Sequence, residues 1–357
     1  MNILINIYKW LEKTSITTFK TSTPKRLLFL IYRIKISFLK LPSDLKVMVQ
    51  DYFKRDAKYA SRLWIHLMVA HLKRVSNAYR TQDFFSSIMD SISKNYTLRF
   101  NTSEQLKEIQ DLFLVEKNQA ATSLMRYQEI SRLMTNLLND SYSSSQKNEL
   151  LKVHYPQDQI QALIELDYIG EHVNMDEISC IIEVGAGYGR IPAQLLSLGK
   201  LKRYIIVDIP PALWISSVYL EKKFPNIKIS KYCSSLNQEK LNELLDHNQV
   251  IFLSPSQMVY LPSDLSALVL AINCLQEMPP GTIQQYFECF SRVAKYFYIK
   301  AQKKPHDPWS DSFLCFEQYI LSDIWKVKHQ RQAPFPACYS EVLLTVLGHV
   351  RMRVWAI

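Results

Sequence analysis

The chain has 357 residues, of which 48% are hydrophobic and 21% charged, the balance of an ordinary globular protein with room for one large domain or two smaller ones. Its six cysteines are scattered with no Cys-x-x-Cys pair, which argues against a zinc site and a disulfide framework and fits a reducing compartment. The net charge of +10 is lopsided: residues 1–80 hold 16 Lys or Arg against four acids, whereas the rest of the chain carries 27 bases and 29 acids.

Taken from the N-terminus, the first segment is "RLLFLIYRIKISFLK", residues 26–40. Arg33 and Lys35 interrupt it, and it falls short of the roughly 18 to 20 apolar residues that a membrane span needs. No small-residue cleavage site follows it, so it does not read as a signal peptide. Residues 1–40 are therefore expected to form a basic amphipathic segment lying on a membrane or on the rest of the protein. The charge asymmetry points to an anionic partner, with a plain solvated face as the alternative. No nucleic acid is expected, because no recognised binding motif accompanies the charge. The expected location is cytoplasmic, with peripheral contact to the inner face of the membrane as one option.

Residues 41–150 read as a helical cap region. Thr102 and Gln105 make a capping-box pattern, followed by Leu106, Ile109, Leu112 and Phe113 at helical spacing. Leu124, Met125, Leu133, Leu137 and Leu138 continue it, and the polar tract 139–148 is the expected linker. After residue 176 short apolar runs alternate with helical stretches. Strands are predicted at 180–184, 204–209, 226–230, 250–254, 266–272 and 295–300, with helices at 212–224, 239–247 and 282–294 between them. Strands are also predicted at 325–330 and 341–347, with no helix between, as an antiparallel pair. The expectation for residues 151–357 is a doubly wound, mainly parallel, Rossmann-like α/β sheet with a C-terminal antiparallel hairpin.

The chain owns seven glycines, and three of them stand in "EVGAGYGR" as Gly185, Gly187 and Gly189. Strand, glycine-rich turn and helix in that order form the nucleotide-binding corner of doubly wound folds. Asp208 closes the second strand, where a carboxylate accepts from both hydroxyls of an adenosine ribose. A dinucleotide fingerprint G-x-G-x-x-G requires glycine at position 190, and this chain has Arg190. Glu183, inside the end of the first strand, suits a positive sulfonium and a free amino group better than a pyrophosphate. The turn therefore favours S-adenosylmethionine over a nicotinamide dinucleotide.

The stretches "EVGAGYGR", "IIVDIPPALWISSVYL" and "LAINCLQEMP" resemble the sugar O-methyltransferase family of class I S-adenosylmethionine-dependent enzymes, over roughly residues 150–357. The resemblance implies that Glu183, Gly185, Ala186, Gly187 and Gly189 lie along the methionine part of the cofactor, that Asp208 holds the ribose and that Ile209 packs on the adenine. The run "FLSPSQM" is preferred as the third strand and its loop, bringing Ser254 or Gln257 toward the cofactor, with plain loop capping as their alternative role. Asn273 is placed with the cofactor set, and with Gln276 is a candidate for orienting hydroxyls.

Methyl transfer to a hydroxyl calls for a general base, and bases in open parallel sheets collect beyond the carboxyl ends of strands. Glu277 is the first candidate and His306 the second; helix capping and simple solvation are their alternatives. His154 and Tyr155 are candidates for the acceptor site. Trp309, Tyr319 and Trp325 suit either sugar stacking or a core. No residue cluster has metal-ligand spacing, and no metal is assigned. The acceptor is expected to be a sugar or glycan precursor, against the alternatives of a lipid, protein or RNA acceptor, or a cofactor-binding partner protein without activity.

Overall fold

Runs such as "CIIEV" and "ALVLAI" lack polar alternation because helices cover both faces of their strands. In the computed structural model, which describes residues 25–57, 61–79, 157–197, 201–263, 265–303, 314–333 and 339–346, β1 (Cys180–Val184), β2 (Tyr204–Val207), β3 (Val250–Leu253) and β4 (Ala267–Ile272) are buried at every position. With β5 (Ala294–Gln302), β6 (Trp325–Gln332) and β7 (Tyr339–Val346) they form one sheet in the order β3-β2-β1-β4-β5-β7-β6. The first five strands in that order pair in parallel, and β7 pairs antiparallel to both β5 and β6. This is a doubly wound, Rossmann-like sheet closed by an antiparallel hairpin. The predicted helices between 102 and 138, the linker 139–148, and His154, Tyr155, His306 and Trp309 lie outside the described residues.

Two predicted features change. The strand expected at 226–230 reduces to a single bridge between Ile229 and Val250, because Asn226 and Lys228 are exposed and the segment merely flanks the sheet edge. The strand expected at 204–209 stops at Val207, ahead of the Pro210–Pro211 pair that has no N–H to donate. In the hairpin, the last strand in the sequence lies inside and β6 forms the edge. Composition explains this: Val342, Leu343 and Leu344 are fully buried, whereas Lys326 and Lys328 on β6 are exposed and protect an open edge. Tyr319 and Trp325 join the core, Trp325 standing edge-on to Phe287 with ring centroids 5.9 Å apart.

Two layers cover the sheet. One face, with Ile182, Val207, Leu253, Val269 and Ile299, packs against α7 (Gln238–His247) and α8 (Pro280–Val293). The other, with Ile181, Ile206, Phe252 and Leu270, packs against α4 (Gln157–His172), α5 (Arg190–Ser197) and α6 (Ala212–Lys223). The N-terminal helices α1 (Lys25–Ser37), α2 (Ser43–Asp51) and α3 (Arg62–Tyr79) contribute Leu45, Met48, Ile65, Met68 and Leu72 to that same cluster. A π turn, Tyr52–Asp56, extends α2. Three carboxylates fix these helices to the sheet domain: Asp44 accepts from the Trp214 indole on α6 at 2.8 Å, Asp51 from the Tyr232 hydroxyl at 3.2 Å, and Asp56 from the Ser256 N–H at 2.6 Å.

Charge also runs through the core. Glu165 on α4 is fully buried and meets Arg190 at 2.6 Å and Lys300 of β5 at 2.9 Å. Lys300 also faces Glu341 of β7 at 3.9 Å, and Glu341 takes a 2.6 Å bond from Arg331 of β6. Burial alone would raise the Glu165 carboxyl, but the charges of Arg190 and Lys300 hold it below the ordinary range. A buried ion set of this kind adds little net stability when complete, whereas removal of one member leaves uncompensated charge. Glu165→Gln is therefore expected to lower unfolding free energy by about 3–5 kcal/mol in urea titrations. An unchanged urea midpoint would mean that water reaches Arg190 and Lys300.

Candidate functional site

The sheet changes winding direction between β1 and β4, since β1 leads to β2 on one side and β4 borders it on the other. Ligands of open α/β sheets bind in the crevice at that reversal, beyond the strand C-termini. Here the crevice is drawn very tight. A side chain at Gly185 would place its Cβ 2.5 Å from the Cβ of Cys274, just past β4, so no larger residue fits. The Cys274 thiol in turn donates to the Val184 carbonyl at 3.1 Å. Gly187 differs: its φ is +61°, yet a Cβ there would meet nothing within 4 Å. The turn thus offers open space in front of Gly187 while its base is closed on Cys274. Gly189 backs onto Leu220 of α6, and α5 begins at the next residue.

Asp208 lies immediately past β2 and bridges that strand to the turn. Its Oδ2 accepts from Gly187 N–H at 3.0 Å and its Oδ1 from Ile209 N–H at 2.7 Å. Each carboxylate oxygen keeps a second lone pair, so a pair of vicinal hydroxyls still finds acceptors. Burial pushes the carboxyl up to about 7 against the lowering effect of the two N–H donors. Glu183, within β1, is also buried and pushed up to about 7, and its carboxylate accepts from the Tyr204 hydroxyl at 2.6 Å.

The loop after β4 supplies the other wall. Asn273 has φ +57°, a left-handed conformation that costs a non-glycine residue of order 1 kcal/mol or more and that clusters at functional sites. Its N–H is held by the Lys300 carbonyl at 2.9 Å, but its buried Oδ1 has no hydrogen-bond partner among the described residues, and neither has Oε1 of Gln276. Buried acceptors left this way cost about 1–3 kcal/mol each, a cost that an arriving donor removes. Glu277 is partly buried, pushed up to about 7 by desolvation and eased by a hydrogen bond from the Trp64 side chain on α3. The convergence of these groups is felt at Cys274, whose thiol is raised by burial and then by the charges of Asp208, Glu277 and Glu183.

Ser254 and Gln257 are committed to the loop itself. The Gln257 carbonyl accepts from Ser254 N–H at 2.9 Å, its amide donates to the Cys233 carbonyl at 2.6 Å, and the Ser254 hydroxyl lies 3.2 Å from that of Ser256. Ile209 is half-buried against the apolar cluster, and Ala186 is buried within the glycine turn. Four residues outside the predicted site set matter to the site: Trp64, which bonds Glu277, Asp56, which holds the loop after β3, Glu165, which pairs with Arg190, and Lys300, which pairs with the same Glu165 and holds the Asn273 N–H through its carbonyl. None has a spacing signal, because their partners stand far away in the chain. A usable hint did exist in Asp44, Asp51 and Asp56, rare acids in a strongly basic segment.

No protein-family profile matches the chain, and no curated protein matches it. Among solved structures, the chain is similar to the methyltransferase domain of bacterial CtHen1, with TM-score 0.35 and 11% identity over 53% of this chain and 100% of that one. A bifunctional kinase-methyltransferase, WbdD, gives TM-score 0.33 and 11% identity over 53% of this chain and 39% of that one. A point mutant of MtNAS gives TM-score 0.33 and 10% identity over 97% of this chain and 98% of that one. Scores this low describe a loose similarity of shape, and the functional reading rests on the site.

The raised carboxyl of Asp208 makes stability depend on pH. Its value moves from 3.8 to about 7 on folding, so between those limits the folded protein holds a proton that the unfolded chain has released. Stability is accordingly lost as pH rises through that window. Glu183 and Glu277 act with the same sign. Asp208→Asn removes one of the three contributions, so its unfolding free energy should fall less than wild type's between pH 5 and pH 8 in urea titrations. Parallel profiles would show that Asp208 stays solvated and ionised.

Proposed function

We propose that the protein is an S-adenosylmethionine-dependent O-methyltransferase acting on a hydroxyl of a sugar or glycan precursor. The observation that carries the cofactor assignment is Asp208, a buried carboxylate anchored to the glycine turn with acceptor capacity to spare. Its surroundings favour a cationic ligand. No lysine or arginine among the described residues acts on the carboxyl of Asp208 or of Glu277, and hydrogen bonds alone offset their burial. Pyrophosphate would add charge of the same sign to this set, whereas a sulfonium and an amino group would relieve it. The open space before Gly187 and the unpaired Asn273 Oδ1 fit a ligand lying along the turn and donating toward β4.

S-adenosylmethionine supplies a methyl group already activated on a positive sulfur. The chain's own task is then to place an acceptor oxygen in line, exclude water and remove a proton. Glu277 suits the last role, because a carboxyl near 7 is partly ionised at neutral pH yet basic enough to accept a proton as the new C–O bond forms. Trp64 orients it by donating from α3, so the N-terminal helices complete the site. Gln276, with its buried carbonyl unpaired, is available to an acceptor hydroxyl. The sugar assignment rests on the resemblance of "VDIPPAL" and "QEM" to the sugar O-methyltransferases.

Calorimetric titration tests the cofactor. S-adenosylmethionine should bind wild type and NAD should not, and Asp208→Ala should weaken binding at least about tenfold through the loss of charge-assisted hydrogen bonds. Binding of NAD alone would overturn the assignment. With methyl incorporation into nucleotide sugars and glycans as the assay, Glu277→Gln should lower kcat by about 10²- to 10⁴-fold, a far larger effect than its loss of charge has on cofactor affinity. The acid limb of the pH–rate profile, expected near 7, should vanish with it. An unchanged rate would remove Glu277 as the base.

A further inference from the structure

The N-terminal helices sort their charges by direction. Asp44, Asp51 and Asp56 are the only acids in the described part of residues 25–79, and each is held by a group of the sheet domain. Arg55 also turns to the sheet domain, donating to the Ser234 carbonyl at 2.8 Å, but Arg33, Lys40, Lys46, Lys54, Lys73 and Arg74 are exposed. Large apolar residues are exposed among them. Of seven exposed large hydrophobic residues in the described structure, four belong to this segment: Leu30 at 55%, Phe38 at 41%, Val47 at 42% and Tyr79 at 51%.

Helical spacing gives these residues a common direction on each element. On α1, Leu30, Arg33 and Ser37 form one exposed stripe opposite the buried Tyr32 and Ile36. On α2 and the π turn after it, Lys46, Val47, Gln50 and Lys54 form another, opposite Leu45, Met48, Val49 and Tyr52. Both stripes mix cations with aliphatic side chains and contain no acid.

We propose that these two stripes of the N-terminal helices rest on an anionic lipid surface. Cations alone would suit any polyanion, and the aliphatic residues decide between the candidates. Leu30 and Val47 gain by entering the acyl boundary of a bilayer, while lysine and arginine stems let their charged ends stay with the phosphates. Against a nucleic acid backbone the same aliphatic residues would stay in water. The contact is peripheral, since no helix among the described residues is long and apolar enough to cross a membrane. Asp44 and Asp56 tie these helices to the residues after β2 and β3, so lipid contact brings the candidate site to the membrane. The inference is independent of the methyltransferase reading.

Co-sedimentation of the full chain with vesicles tests it, using phosphatidylcholine alone and phosphatidylcholine mixed with phosphatidylglycerol. Binding is expected only to the mixed vesicles and should weaken with salt. Replacing Arg33, Lys46 and Lys54 together by Gln should weaken it about a hundredfold, at about fivefold per charge. Leu30→Asn with Val47→Asn should weaken it also, although every charge is kept. All five positions are exposed, and unchanged thermal unfolding of the variants checks that the fold survives. Absence of vesicle binding, equal binding to neutral vesicles, or tighter binding to single-stranded RNA that ignores Leu30→Asn and Val47→Asn would each overturn the proposal.

Discussion

The ion pairs of Glu165 join the two walls of the candidate site. Arg190 follows the last glycine of the turn, and Lys300 lies on β5 with its backbone carbonyl holding the N–H of Asn273. One buried carboxylate therefore fixes the turn after β1 relative to the loop after β4, across the crevice where the sheet reverses. Hydrophobic contacts are tolerant of small slides, whereas a fully buried carboxylate at 2.6 Å and 2.9 Å from two cations is not. The consequence is positional: the Gly185–Cys274 contact, which leaves no room for a Cβ, needs its two strands held in register to this precision.

The site also carries costs of its own. A left-handed Asn273, unpaired carbonyls on Asn273 and Gln276, and three carboxyls raised to about 7 all destabilise the folded chain. The core offsets them, because every residue of four parallel strands is buried and helices close both faces. Unpaired buried polar atoms also occur on Tyr298, Trp325 and Glu341 of the sheet, and Ser266 is left-handed too, so what distinguishes the crevice is that such features coincide there with three raised carboxyls.

Features governed by local rules were readable from the sequence alone. β1 was legible to the residue because a strand buried on both faces reads as an unbroken apolar run, and α6 was legible because Pro211 precedes it and Phe224 ends it. The expected strand at 226–230 failed on the same physics. "NIKIS" has strand-like residues, but alternation with exposed Asn226 and Lys228 marks a margin, not a covered strand. Within the site, Gly185 and Asp208 were legible because a tight turn and a strand-end acid have short-range signatures. Trp64 and Glu277 were not legible as a pair, nor were Glu165 and Lys300, since only the packing of helices on the sheet brings them together. Gln257 shows the opposite limit: its sequence position beside the third strand is compatible with a ligand contact, yet both ends of its amide are bonded to the chain.

The electrostatics of the crevice depend on where the cations went. Arg190, directly after the turn, and Lys300, whose carbonyl holds the loop after β4, both pair with the buried Glu165. Arg190 still eases Glu183 from that position, but no basic residue is described as acting on Asp208 or Glu277. The Asp208 charge in turn hinders ionisation of Glu183. A cation entering the crevice reverses that coupling: it stabilises the ionised forms together, and the same ionisation strengthens its own binding. With Arg190 and Lys300 both paired to the buried Glu165, it is hydrogen bonds that offset the burial of Asp208 and Glu277 among the described residues.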